Sequence, residues 1–187
     1  MTSGIKMVNA NLQTIRESFG RVVYSHKTHE KACEISNSYA MLIKWVNIVL
    51  TAITATSIIG VIVTDQNILK YITAAVSTIT LMFTIFQLSF NPEKDAAQHQ
   101  QAANELWYIR DRYINLLTDI QNNSLSDAQI INKRDELLDE LKLIYRFAPP
   151  TNTTAYKRAQ KALKIDEELT FTNEEINNFL PKELWIK

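Results

Sequence analysis

Glycine and proline are nearly missing from this chain of 187 residues, which holds only Gly4, Gly20, Gly60, Pro92, Pro149, Pro150 and Pro181. So few breakers leave long uninterrupted stretches rich in Ala, Leu, Ile, Glu, Lys and Gln, which predicts an all-α protein. Cys33 is the single cysteine, so no internal disulfide forms, and a reducing setting fits. No sign of charge is in excess: 20 Lys+Arg offset 20 Asp+Glu, so bulk electrostatics favour no direct nucleic-acid partner. The scattered glycines exclude both common phosphate-binding glycine loops and Gly-x-Ser-x-Gly, and His-Glu-x-x-His is missing too. Catalysis has no visible home, and the chain is not expected to be an enzyme.

Charge is also missing from two long runs. "WVNIVLTAITATSIIGVIV", residues 45–63, and "YITAAVSTITLMFTIFQLSF", residues 71–90, contain none. Each reaches roughly 30 Å as a helix, the thickness of a bilayer's hydrocarbon core. Only "TDQNILK" separates them, so a transmembrane hairpin is expected; the competing arrangement is a soluble hairpin wrapped by the polar helices. The first run starts at residue 45, too late for a cleavable signal peptide. Arg21, Lys27, Lys31 and Lys44 precede the first run, Lys94, Arg110 and Arg112 follow the second, and the loop offers Lys70 beside Asp65. This bias predicts cytoplasmic termini. Lys44, Trp45, Lys70 and Tyr71 are the expected membrane-interface residues.

Three regions follow: N-terminal cytoplasmic helices over 1–44, the hairpin over 45–90, and a C-terminal cytoplasmic helical region over 91–187. Ile5, Val8, Leu12, Ile15 and Phe19 recur every three or four residues, an amphipathic helix that Gly20 is expected to break. Residues 21–44 read as a polar helix running straight into the first span. Asn91 and Pro92 are placed to cap and start a helix, unless the long helix merely kinks there. Leu106, Ile109, Tyr113, Leu116 and Ile120 form a heptad-like seam, suited to the N-terminal helix, another protomer or a partner. "SDAQ", Ser126 to Gln129, is a capping box opening a helix that Pro149-Pro150 stops. A basic helix near 156–168 and a short capped one, 172–179, complete the chain.

Polar residues thread both spans at helical spacing: Asn47, Thr51, Thr54 and Ser57 in the first, Thr73, Ser77, Thr80, Thr84 and Gln87 in the second. Folding the hairpin about residue 67 sets Asn47 level with Gln87, Thr54 with Thr80 and Ser57 with Ser77, with Thr51 near Thr84. Polar side chains in hydrocarbon seek one another or water. They are interhelical glue or, in several hairpins together, the wall of a water-filled pore, which requires a homo-oligomer. His26, His29 and Cys33 share one helical face and are zinc-binding types, with His99 or a second chain as fourth ligand. A polar helix without metal is the reading adopted, and no cofactor is expected. Lys157, Arg158, Lys161 and Lys164 form a basic stripe, read as a solvated face or as pairing with the Asp135, Glu136, Asp139 and Glu140 run in preference to a contact for an anionic ligand or lipid headgroup.

The close hairpin, "ANELWYIRDRYINLLTDI" (Ala103 to Ile120) and "APPTNTTAYKRA" (Ala148 to Ala159) resemble the SLATT family over residues 21 to 165. These are the SMODS- and SLOG-associating two-transmembrane effectors of bacterial defence systems. The resemblance implies a pore-forming effector in the bacterial inner membrane that acts by abortive infection. It also implies a nearby nucleotide-second-messenger synthase or reverse transcriptase as partner. The alternative is a non-conducting, membrane-anchored adaptor that docks a partner enzyme.

Overall fold

The structure is a computed structural model that describes the backbone of residues 2–64 and 66–186, with side chains from residue 11 onward. The chain is all-α, and no strand occurs among the described residues. Helix α1 runs unbroken from Thr2 to Thr64 and α2 spans Asn67–Ser89. Then come α3 (Pro92–Gln121), α4 (Asp127–Phe147), α5 (Thr153–Lys164), the short α6 (Asn173–Asn177) and a 3-10 turn at Lys182–Leu184.

Gly20 does not break α1. A helix interior accepts one glycine at a cost of about 1 kcal/mol, and the α1 faces on either side of Gly20 both pack on α3. Ile15 and Val22 are fully buried there, while the side chains of Ile5 and Val8 lie outside the described residues. Helix α1 therefore joins the polar body to the hairpin as one rod, about 95 Å long at 1.5 Å per residue.

Helix starts follow their caps. Asn91 Oδ1 accepts from the Lys94 backbone N–H at 3.0 Å, with Pro92 in the first turn of α3, so a new helix starts there. The Ser126 N–H donates to Gln129 Oε1 at 2.9 Å, completing the capping box of α4. Asn152 caps α5 through the Ala155 N–H, and Thr172 caps α6 through the Glu175 N–H.

The core of the polar body is built from the seam of α3. Leu106, Ile109, Tyr113, Leu116 and Ile120 are buried against Ile15 and Val22 of α1 and Ile130, Leu137 and Leu141 of α4. Each large apolar side chain buried this way stabilises by about 1.5–3 kcal/mol. This corrects the oligomer or partner reading of the seam: its residues are enclosed within one chain and present nothing to a second. Of the two packings considered, the N-terminal helix is the one found.

The hairpin is different. α2 buries none of its residues, and the polar helices do not wrap it. Both helices are long and apolar enough to cross a membrane. Ile59, Ile62, Val63, Tyr71, Leu81 and Leu88 stand more than 60% exposed in a single chain, a surface that bilayer hydrocarbon would cover.

Candidate functional site: the polar face of the hairpin and its base

α1 and α2 run antiparallel, with α1 ending at Thr64 and α2 starting at Asn67, so the helices extend into the seven-residue loop expected between them. Asn47, Thr54 and Ser57 on α1 and Thr73, Ser77, Thr80 and Gln87 on α2 are half-buried between the two helices. Thr51 and Thr84 are exposed instead. Their hydroxyls donate to their own helix, to Asn47 O at 2.8 Å and Thr80 O at 2.9 Å.

One pair of the expected levels bonds directly. Thr54 Oγ1 and Thr80 Oγ1 are 3.0 Å apart. Ser57 bonds back to Ile53 O at 2.8 Å rather than to Ser77. Asn47 and Gln87 share the wall of a cleft of about 360 Å³ at the base of the hairpin, with Lys44, Thr84 and Glu93. Two polar atoms on this face, Thr73 Oγ1 and Gln87 Nε2, are shielded from solvent without a hydrogen-bond partner. Thr56 and Thr78, outside the ladder read from sequence, are exposed and bond to Ala52 O and Ala74 O, both at 2.9 Å. Trp45 and Tyr71 are exposed, and Lys70 Nζ approaches Asn67 Oδ1 at 3.5 Å.

Below the hairpin, His26, His29 and Cys33 occupy the seam positions of α1 that face α3. Their spacing of three and four is the heptad spacing of that contact. His26 Nδ1 donates to Ala103 O at 2.9 Å, and its ring lies 5.0 Å from that of Trp107. His29 Nδ1 and His99 Nδ1 are 3.0 Å apart, one donating to the other. Cys33 turns to Gln100 Oε1 at 3.5 Å and accepts from Asn37 at 3.4 Å. Among the described residues no group of three His, Cys, Asp or Glu is placed to hold a metal ion. Burial holds the His29 pKa down to about 4, aided by His99 and His26, and burial lowers His26 and His99 as well. Burial also pushes the Cys33 thiol up, leaving it neutral.

The segment after α5 carries a contact that no sequence pattern signalled. Glu168 pairs with Lys27, which is buried, and with Lys31 at 3.3 Å; Glu30 meets Lys27 at 2.6 Å. Burial opposes the charged form of Lys27, but the hydrogen bonds it donates to Glu168 and Glu30 outweigh it and raise its pKa. Glu167 and Leu169, on either side of Glu168, adopt left-handed backbone with φ of 52° and 72°. Such residues cost about 1–2 kcal/mol each, offset here by the ion pairs they present.

Among the described residues the basic stripe of α5 forms no ion pair with the acidic run of α4. Lys161 pairs with Asp166 at 2.9 Å, Asp135 with Arg134 at 2.7 Å and Glu140 with Arg112. Lys157, Arg158 and Lys164 form no ion pair among the described residues.

A family model described as SMODS and SLOG-associating 2TM effector domain family 4 matches residues 12–175. No curated protein and no solved structure matches the chain. The matched span contains the whole hairpin, the α3 seam, Glu168 and the Pro149-Pro150 turn.

Proposed function

The chain belongs to the SMODS and SLOG-associating 2TM effector domain family, and from that premise we propose that it is a pore-forming effector of a bacterial anti-phage system. In this reading several hairpins assemble in the inner membrane with the polar body cytoplasmic. An infection signal or a partner defence enzyme opens them, and the resulting leak arrests or kills the host. No catalytic step is required of the chain itself.

The observation that carries the reading is the pair of unpartnered polar atoms, Thr73 Oγ1 and Gln87 Nε2, within an apolar hairpin. A polar group in hydrocarbon without a hydrogen bond is unfavourable by several kcal/mol. Assembly of hairpins around enclosed water relieves that cost at both ends of α2 together. Hydroxyls and amides without acids or bases suit a weakly selective conduit over a proton relay.

A second reading has its own observation. The Thr54–Thr80 bond satisfies polar groups inside one hairpin, as a non-conducting anchor for a docked enzyme requires. Ion leakage from liposomes containing the purified protein separates the two. Replacing Thr80 and Thr84 together with Val should reduce leakage while oligomer size persists, with Ala75 and Leu81 replaced as the control. A double variant that assembles and leaks like the parent removes both threonines from the pore wall. An Asn67→Cys variant labelled from outside the cell supports the orientation, and labelling from inside overturns it.

A further inference from the structure

The cleft at the base of the hairpin has chemistry that neither span uses. Its wall is formed by Ile43, Lys44 and Asn47 of α1, the end of α2, and the start of α3. Lys44 and Glu93 form no ion pair among the described residues, with each other or with any neighbour. A cation and an anion thus border one cavity of about 360 Å³.

Its depth points to the occupant. Lys44 precedes Trp45, where the first charge-free run starts, and Phe90 ends the second. Polar groups at these ends sit at the level of lipid headgroups. We propose that the cleft binds the headgroup of an amine-bearing zwitterionic phospholipid, a phosphoethanolamine. The Lys44 ammonium holds the phosphate, and the Glu93 carboxylate receives the lipid's primary ammonium. Ile43, Leu88 and Phe90 provide the apolar wall along which the glycerol and acyl ends leave.

The alternatives fit the same wall less well. A purely anionic headgroup brings the Glu93 carboxylate no positive charge. A choline headgroup carries no N–H to donate. A bare cation leaves the Lys44 ammonium opposed by positive charge. The site depends on membrane insertion and is independent of whether the hairpin conducts.

The test uses the full-length protein in a mild detergent, with lipid adducts counted by native mass spectrometry. Short-chain phosphatidylethanolamine, phosphatidylcholine and phosphatidylglycerol are offered in equal amounts, and soluble phosphoethanolamine separately. One charge contact near a membrane surface corresponds to about a fivefold change, so phosphatidylethanolamine should be retained about fivefold over the others. Lys44→Ala should reduce retention of all three lipids. Glu93→Gln should bring phosphatidylethanolamine down to the phosphatidylcholine level, while Lys70→Ala at the other end of the hairpin leaves the preference intact. Equal retention of the three lipids by the parent overturns the proposal, as does a preference that survives Glu93→Gln. Soluble phosphoethanolamine bound as tightly as the lipid overturns the lipid assignment. The parent's own selectivity decides the matter where a variant does not fold.

Discussion

Thr54 and Thr80, twenty-six residues apart in sequence, hold their Oγ1 atoms 3.0 Å apart and join the two spans near mid-height. Each hydroxyl also lies within bonding distance of its own helix, Thr54 at 2.8 Å from Leu50 O and Thr80 at 3.0 Å from Val76 O. A hydroxyl carries one proton, so two hydroxyls make at most two of these three bonds. The link between the spans competes with bonds inside each helix and is readily exchanged. Thr54→Val, Thr80→Val and the double variant should show a coupling of about 0.6 kcal/mol in a double-mutant cycle on unfolding in micelles. A coupling of zero would mean that the backbone takes both protons.

Leu106→Ala in α3 removes a fully buried side chain from the core shared with α1 and α4. Destabilisation of the polar body by about 2–5 kcal/mol is expected, read by denaturant unfolding. Membrane insertion should persist, because the apolar spans are untouched. Loss of oligomers from a still-folded protein would return the seam to the role of an interface.

Acid should loosen the α1–α3 contact. Burial keeps the folded-state pKa of His29 at about 4, below the ordinary value of 6.5. Below about pH 6.5 the unfolded chain takes up protons that the folded chain refuses. Stability present above that pH is therefore lost as pH falls toward about 4, by about 1–3 kcal/mol. His26 and His99 act in the same direction. The groups facing them are Asp95 beside His99, and Glu30, Lys27 and Arg110 around His26. Melting temperature against pH is the measurement, and His29→Gln should flatten the slope between pH 6.5 and 4. An unchanged slope would assign it to carboxylates instead.

Glu168→Gln should free the segment after α5. The change leaves buried Lys27 with Glu30 alone and takes the carboxylate from Lys31. Because Lys27 keeps one partner, the loss should be about 1–2 kcal/mol rather than the larger cost of an unpaired buried charge. Limited proteolysis should then cut between residues 165 and 172 sooner than in the parent. Unchanged protection would mean that the ion pairs of Glu168 do not hold the segment.

The all-α class, the two spans and the helix starts at Asn91, Ser126 and Thr172 were legible in the sequence because each depends on neighbours a few residues away. Composition sets helix preference, an uncharged run sets membrane compatibility, and a cap acts within one turn. The pairing of Thr54 with Thr80 was legible for the same reason, since a short turn fixes the register of an antiparallel hairpin. Other features depended on which surfaces meet. Gly20 looked like a break, yet α3 packs on α1 on both sides of it and the helix continues. The α3 seam looked free for a partner, but periodicity states that a face is apolar and not which face covers it. His26, His29 and Cys33 read as a set of ligand types, and only packing against α3 divided them among Ala103, His99 and Gln100. Glu168 carried no pattern at all: its place opposite Lys27 arises from left-handed turns at Glu167 and Leu169, stabilised by contacts made 137 residues away at Lys31. Local energies write themselves into local sequence, whereas contacts between distant segments are decided when the whole core closes.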